Sequence, residues 1–177
     1  MKKITIKPFN SLCKKIAKTD TLYLQDADGM VYICDGHFIV AVSRNFYDDC
    51  IKPELVFDVP ENSRVTITKN IVSETSESAF KIKDIFENKP ELVPTQMTSV
   101  LIDRPYGNND GYCRIFKTKD GRFTAIDKKF VDALLFFGFA NVKANKEKPE
   151  KAPLWTDDFM ICPVNMDAKT ILENMVN

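Results

Sequence analysis

Two stretches of this chain alternate apolar and polar positions in the same way. Val31 to Val42 holds two β-like runs parted by Asp35-Gly36, and Leu154 to Val164 repeats the pattern near the end. Each is preceded by an amphipathic helix pattern, and each helix by a short strand pattern. In the first helix Phe9, Leu12, Cys13 and Ile16 fall at i, i+3, i+4 and i+7, while Lys14, Lys15 and Lys18 fall away from that face. Pro8 suits its first position. In the second helix Phe130, Ala133, Leu134 and Phe137 share the spacing, with Asp127 as N-cap and Gly138 as the stop.

Alternation predicts strands at residues 3–7, 21–25, 30–34 and 38–43, with turns at Asp26-Ala27-Asp28-Gly29 and Asp35-Gly36. Residues 3–45 thus form a β-α-β-β-β unit. Strands at Phe123–Ile126, Ala140–Ala144, Ala152–Trp155 and Phe159–Val164 make a second unit over 120–166. The two superimpose at one offset of 121 positions, Phe9 on Phe130, Cys13 on Leu134, Ile16 on Phe137, Phe38 on Phe159 and Val40 on Ile161.

Residues 46–119 lie between. Leu55–Val59, Arg64–Thr68, Val100–Ile102 and Tyr112–Phe116 read as strands, 71–78 as loop, and 80–86 as ending in a helix. Pro105 to Gly111 is turn chemistry. This stretch lacks a patterned core of its own and reads as an insertion adding strands. Asp167 caps a last helix over 167–177, with Ile171, Leu172, Met175 and Ala168 on its apolar face. The expectation is a single α+β domain over 1–177. Its two units share an antiparallel sheet with two helices on one face, joined by a central β-rich insertion and followed by a C-terminal helix.

Composition narrows the function. Of 177 residues, 44% are apolar, which supports a packed core, and 13 phenylalanines against one tryptophan suggest that it is built on Phe. Twenty-five basic and 25 acidic side chains exclude a globally cationic nucleic-acid binder but leave room for a local basic stripe. Five scattered cysteines without C-x-x-C point to reduced thiols in a cytoplasmic protein, and no run has signal-peptide or membrane-spanning length. Asp26, Asp28, Asp35 and the single histidine, His37, could be imagined as a metal site, but hairpin turns explain the Asp-Gly pairs more simply. The D-x-D-G run lacks the later ligands of a calcium loop. There is no phosphate-cradling Gly-rich loop and no G-x-S-x-G. No catalytic residue, metal or cofactor is expected.

Three segments carry a resemblance. Val31 to Val42, with Asp35-Gly36-His37, is similar to the "A-T-D-G-H-R-L-A" segment of the bacterial DNA polymerase III beta sliding clamp family. Phe123 to Leu134, "FTAIDKKFVDAL", is similar to its strand followed by "N-P-x-Y-L-L-D-A-L". Asp158 to Met166, "DFMICPVNM", is similar to its "Y-L-I-M-P-V-R-L". Their order and placement match the family's DNA-clamp fold. The resemblance covers residues 3–45 and 120–166 and leaves out the middle.

The resemblance implies a non-enzymatic DNA-replication accessory protein of processivity type, from a phage or mobile element. It implies duplex DNA as a partner, a homo-oligomer, and a polymerase or other replication protein docked by a short linear motif. Lys14, Lys15 and Lys18 would face DNA phosphates, with Lys128 and Lys129 adding to them. A solvated helix face explains those lysines equally well. The docking groove would use Gly36, His37, Phe38 and Ile39 with Ile161, Cys162, Pro163, Val164 and Met166. For Ile39 and Ile161 strand core is the better reading.

The chain departs from the family in length, with one clamp-like domain where a bacterial subunit has three. Phe38 and Asn165 stand where Arg is usual, residues 167–177 extend past the usual terminus, and Leu135 and Phe136 occupy the helix face that should meet DNA. Those two would need cover. The alternative is a stand-alone clamp-fold protein-interaction module, a replisome regulator or decoy without DNA binding.

Overall fold

The computed structural model describes residues 5–74, 81–103, 111–166, 169 and 171–173. The protein is α+β, and the chain divides into two compact units, Met1–Asn88 and Lys89–Asn177.

The first unit opens with α1 (Lys7–Thr19), followed by β1 (Thr21–Ala27), β2 (Met30–Cys34) and β3 (Phe38–Ser43). A helical stretch then runs through α2 (Arg44–Phe46), a π-helical turn (Tyr47–Ile51) and α3 (Lys52–Leu55), before β4 (Arg64–Thr68), β5 (Ile71–Glu74) and α4 (Ile82–Glu87). The strands lie in the order β5-β4-β1-β2-β3, each pair antiparallel. Cross-strand pairing puts Leu24, Ile33, Val40 and Val65 on one face. Phe38 shares that face and meets Phe9 of α1 edge-to-face at 5.9 Å. The opposite face carries Gln25 and Tyr32. There Tyr32 packs on Phe86 of α4 at 5.9 Å, and Gln25 Oε1 accepts the Lys83 N–H at 3.2 Å. Helices on both faces explain why Phe38 to Val42 are buried without alternation.

Three expectations for this unit need correction. Residues 5–7 are not strand: the Asn10 N–H donates to Ile6 O at 3.1 Å, so the helix already begins there. Residues 3 and 4 lie outside the described residues. Leu55–Val59 is not strand either. Leu55 ends α3, the Phe57 carbonyl accepts the Tyr47 hydroxyl at 3.0 Å, and Val59 O accepts Arg44 at 2.8 Å, so side chains take the acceptors that a ladder would use. Ile71–Glu74 is a strand rather than loop. Lys69 and Asn70, at φ 52° and 61°, make a two-residue hairpin turn, and the Asn70 N–H donates to Ala17 O at 2.8 Å, tying the turn to the end of α1.

The second unit contains β6 (Leu92–Asp103), β7 (Tyr112–Thr118), β8 (Phe123–Asp127), α5 (Lys128–Leu134), a 3-10 turn (Leu135–Phe137), β9 (Lys143–Asn145), β10 (Leu154–Trp155) and β11 (Phe159–Ile161). Its order is β11-β10-β9-β6-β7-β8, again antiparallel. β6 is far longer than Val100–Ile102 because it serves two partners, β9 through Leu92–Pro94 and β7 through Thr95–Asp103. Ile102, Cys113, Ile115, Ala125, Met166 and Ile171 form one core cluster, and Phe139 bridges Phe116 and Phe159 at 5.6 and 4.9 Å. Asp127 caps α5 by accepting the Lys129 N–H at 3.0 Å, and Gly138 ends the 3-10 turn at φ 83°.

The last three strands are shorter than expected. Pro163 cannot donate to a ladder, and the Val164 N–H turns instead to Ala125 O at 2.8 Å. Central residues thus extend both units: β4 and β6 each flank the strand that follows the helix. Residues 105–110 of the expected turn, and Asp167, Ala168 and Met175 of the expected last helix, lie outside the described residues. Residues 171–173 are helical, with Ile171 buried and Leu172 exposed.

Candidate nucleic-acid interface and docking turns

The α1 helix has two chemically distinct sides. Phe9, Cys13, Ile16 and Ala17 are buried, and Lys14, Lys15 and Lys18 are exposed. The helix carries four lysines, Lys7 included, and no acidic residue. Glu54 of α3 is placed against it, with Lys14 Nζ at 2.7 Å from Glu54 Oε2. The hydrogen bond from Lys14 holds the Glu54 carboxyl below its usual range. Burial, in turn, pushes the Cys13 thiol well up, as expected of a core cysteine.

On α5 the two lysines are tied to carboxylates. Lys128 pairs with Asp132 one turn on, and Lys129 Nζ stands 3.6 Å from Asp127 Oδ2 and 4.6 Å from the centre of the Phe130 ring. Leu135 and Phe136, expected to be covered, are 37% and 39% exposed. The five lysines are therefore not equivalent: three lie on one helix of the first unit, two on one of the second.

The groove residues also divide between the units. Asp35 Oδ1 accepts the backbone N–H groups of His37 at 2.8 Å and Phe38 at 3.0 Å, and the Gly36 N–H points to Cys34 Sγ at 3.3 Å. Gly36 takes φ 89°, which a side chain would resist. His37 projects outward, with Nδ1 3.8 Å from Asp35 Oδ2. Phe38 belongs to the core beneath the turn and is fully buried, as are Ile39 and Ile161 to within 1%. In the second unit Cys162, Pro163 and Val164 are half-buried, and Met166 is in the core cluster.

The spacing already relates a second turn to this one, though Thr156 was not among the residues it singled out. Thr156 Oγ1 accepts the N–H groups of Asp158 at 3.2 Å and Phe159 at 3.0 Å. Thr156 stands 121 positions after Asp35, and the hydroxyl does the carboxylate's work. Arg44 was also missed. It reaches Asp26 Oδ2 at 3.2 Å, Asp48 Oδ2 at 2.9 Å, Asp58 Oδ1 at 3.4 Å and Val59 O at 2.8 Å, fixing the end of β1 to the segment after α3.

Asp26, Asp28 and Asp35 have separate structural tasks: Asp26 holds Arg44 and the Asn62 N–H, Asp28 pairs with Lys83, and Asp35 shapes its turn. Among the described residues no group of three or more His, Cys, Asp or Glu gathers as a metal site would require. All five cysteines carry thiols, those of Cys13, Cys34 and Cys113 buried. Among the described residues no helix is long and apolar enough to cross a membrane. No protein-family model matches the chain, and no curated protein or solved structure matches it either.

Proposed function

We propose that this chain is a clamp-type DNA-replication accessory protein without catalytic chemistry of its own. It holds duplex DNA through α1 and docks a polymerase or other replication protein that carries a short linear motif. The outer face of α1 carries the reading. Here four lysines stand without one acidic residue on the helix. Such a lysine face, with Glu54 of α3 set against Lys14 and the helix fixed to a sheet by buried Phe9 and Cys13, suits phosphates and reads no bases.

The repeated design supports the clamp resemblance. Each unit runs helix, then three antiparallel strands, with an equivalent side-chain-capped turn between the second and third. A closed ring would take about six copies of the chain. The exposed Gly36-His37 turn of the first unit is the candidate docking element for the linear motif.

The second reading is a clamp-fold interaction module, a replisome regulator or decoy that leaves DNA alone. The carboxylate partners of Lys128 and Lys129 and the zero net charge favour it. Light scattering at low and moderate salt, with and without duplex DNA, separates the two. A closed multimer that retains duplex supports the clamp; a monomer or dimer indifferent to DNA selects the module.

A further inference from the structure

The net charge of the chain is zero, but one end of the second unit is basic. Two segments meet there: residues 117–122, around the turn between β7 and β8, and residues 143–151, along and after β9. Together they carry seven basic and three acidic side chains. Arg122 pairs with Asp120 at 2.8 Å, and Lys146 pairs with Glu91 at 2.6 Å. Lys117, Lys119, Lys143, Lys148 and Lys151 are left over. All five are exposed and, among the described residues, have no carboxylate in ion-pairing reach. Within the two segments only Glu147 and Glu150 oppose them. The excess of cations is not cancelled locally.

Hydrogen bonds fix the two segments against each other. Arg122 reaches across from the turn, donating from Nη2 to Lys146 O at 2.5 Å and from Nη1 to Glu147 O at 3.1 Å. Thr124 Oγ1 donates to Pro149 O at 2.6 Å, and Asn145 Oδ1 accepts the N–H groups of Glu147 and Lys148, both at 2.8 Å. A polyanion meeting this end would order side chains but not loops, which lowers the entropic cost of binding.

The chemistry of the patch selects its partner. None of the large exposed apolar side chains of the described residues lies in either segment. The patch thus lacks the apolar anchor that a protein partner or a membrane surface would use. The ring next to Lys117, that of Phe123, is half-buried, with Lys117 Nζ 5.6 Å from its centre, so no bare ring is offered to unstacked bases. Lysine charge without anchors fits the phosphate backbone of a duplex. We propose that this end of the second unit is a contact for the backbone of duplex DNA, made by Lys119, Lys148 and Lys151 and flanked by Lys117 and Lys143. The inference rests on the duplex-binding reading and adds to it a contact on elements other than α1.

Anisotropy of a labelled mixed-sequence duplex across a salt series, with the whole chain, tests this. Replacing Lys119, Lys148 and Lys151 together by alanine should reduce the magnitude of the logarithmic salt slope by about 3 and weaken binding at low salt about tenfold. The melting temperature should not change, because none of the three side chains has a partner among the described residues. On the unaltered protein, bound duplex should shield the same lysines from acetylation, read by mass spectrometry. Equal acetylation with and without saturating duplex would overturn the inference. A slope lowered by replacing Lys14, Lys15 and Lys18, but not by replacing Lys119, Lys148 and Lys151, would also overturn it and leave the α1 contact standing. The reverse result would support it and count against α1. No duplex affinity at low salt would overturn both. Binding of labelled polyglutamate that the Lys119, Lys148 and Lys151 replacement abolishes, with duplex affinity unchanged, would overturn it in favour of an acidic protein segment.

Discussion

Asp35 and Thr156 perform one task 121 positions apart: each side chain accepts the N–H groups two and three residues ahead and closes a turn between the second and third strands after a helix. The backbone repeats the match, Asp35 N–H to Phe38 O at 3.4 Å and Thr156 N–H to Phe159 O at 2.8 Å. Phe38 and Phe159, which follow, are both fully buried. The hydroxyl should therefore serve in the first turn as well. Asp35→Thr should change stability by less than about 0.5 kcal/mol, Thr156→Asp should cost about 1 kcal/mol because it adds a carboxylate beside Asp157 and Asp158, and the corresponding alanine variants should each lose about 1 kcal/mol. Urea denaturation of the four variants checks this.

Val56 supplies a prediction in the opposite direction. Val56→Gly removes the left-handed strain at φ 63° and surrenders almost no buried surface. It should stabilise the protein by about 1 kcal/mol, read as a higher urea midpoint at unchanged slope.

Arg44 gathers three carboxylates and one backbone carbonyl of the first unit. Asp26 beside it is 5% exposed. Arg44→Met would leave that carboxylate buried without its cation and should cost about 3 kcal/mol. Adding Asp26→Asn should recover part of the loss, and the double-mutant cycle measures the coupling.

Two carboxylates should give pH dependences of opposite sign. The hydrogen bond from Lys52 lowers the Asp58 carboxyl below its ordinary value. Its contribution is present above the unfolded value, about 3.9, and is lost as pH falls through the lower folded value. Partial burial, then the neighbouring Asp157, raises Asp158 instead. Its ionisation is an unfavourable load at neutral pH that disappears below the unfolded value. At pH 7 Asp58→Asn should lose stability and Asp158→Asn should gain it. Both differences should fade below about pH 4, as parallel urea titrations would record.

Much of this could be read from the sequence because local chemistry and burial agree. β2, β3 and β4 fall on the expected residues, since their alternation is bounded by Asp-Gly or other turn chemistry. α1 and α5 follow from their spacing and, for α5, from the Asp127 cap. Two of the misreadings share one cause, backbone groups satisfied from a distance. Leu55–Val59 has strand composition, but Arg44 and Tyr47 take its carbonyls. Lys69-Asn70 is a weaker turn signal than Asn-Gly, and Ala17 supplies the missing anchor. The lysines of α1 were visible as a face, while the carboxylates beside Lys128 and Lys129 only matter once the helix is built.

The most direct test of the DNA reading is the salt dependence of duplex affinity. Anisotropy of a labelled duplex should show affinity falling linearly with salt on logarithmic axes. Replacing Lys14, Lys15 and Lys18 together by alanine should reduce the magnitude of that slope by about 3, while Lys128→Ala and Lys129→Ala should change it less. A wild-type protein with no measurable duplex affinity at low salt, or a slope unchanged by the triple substitution, would contradict the assignment of α1 to DNA.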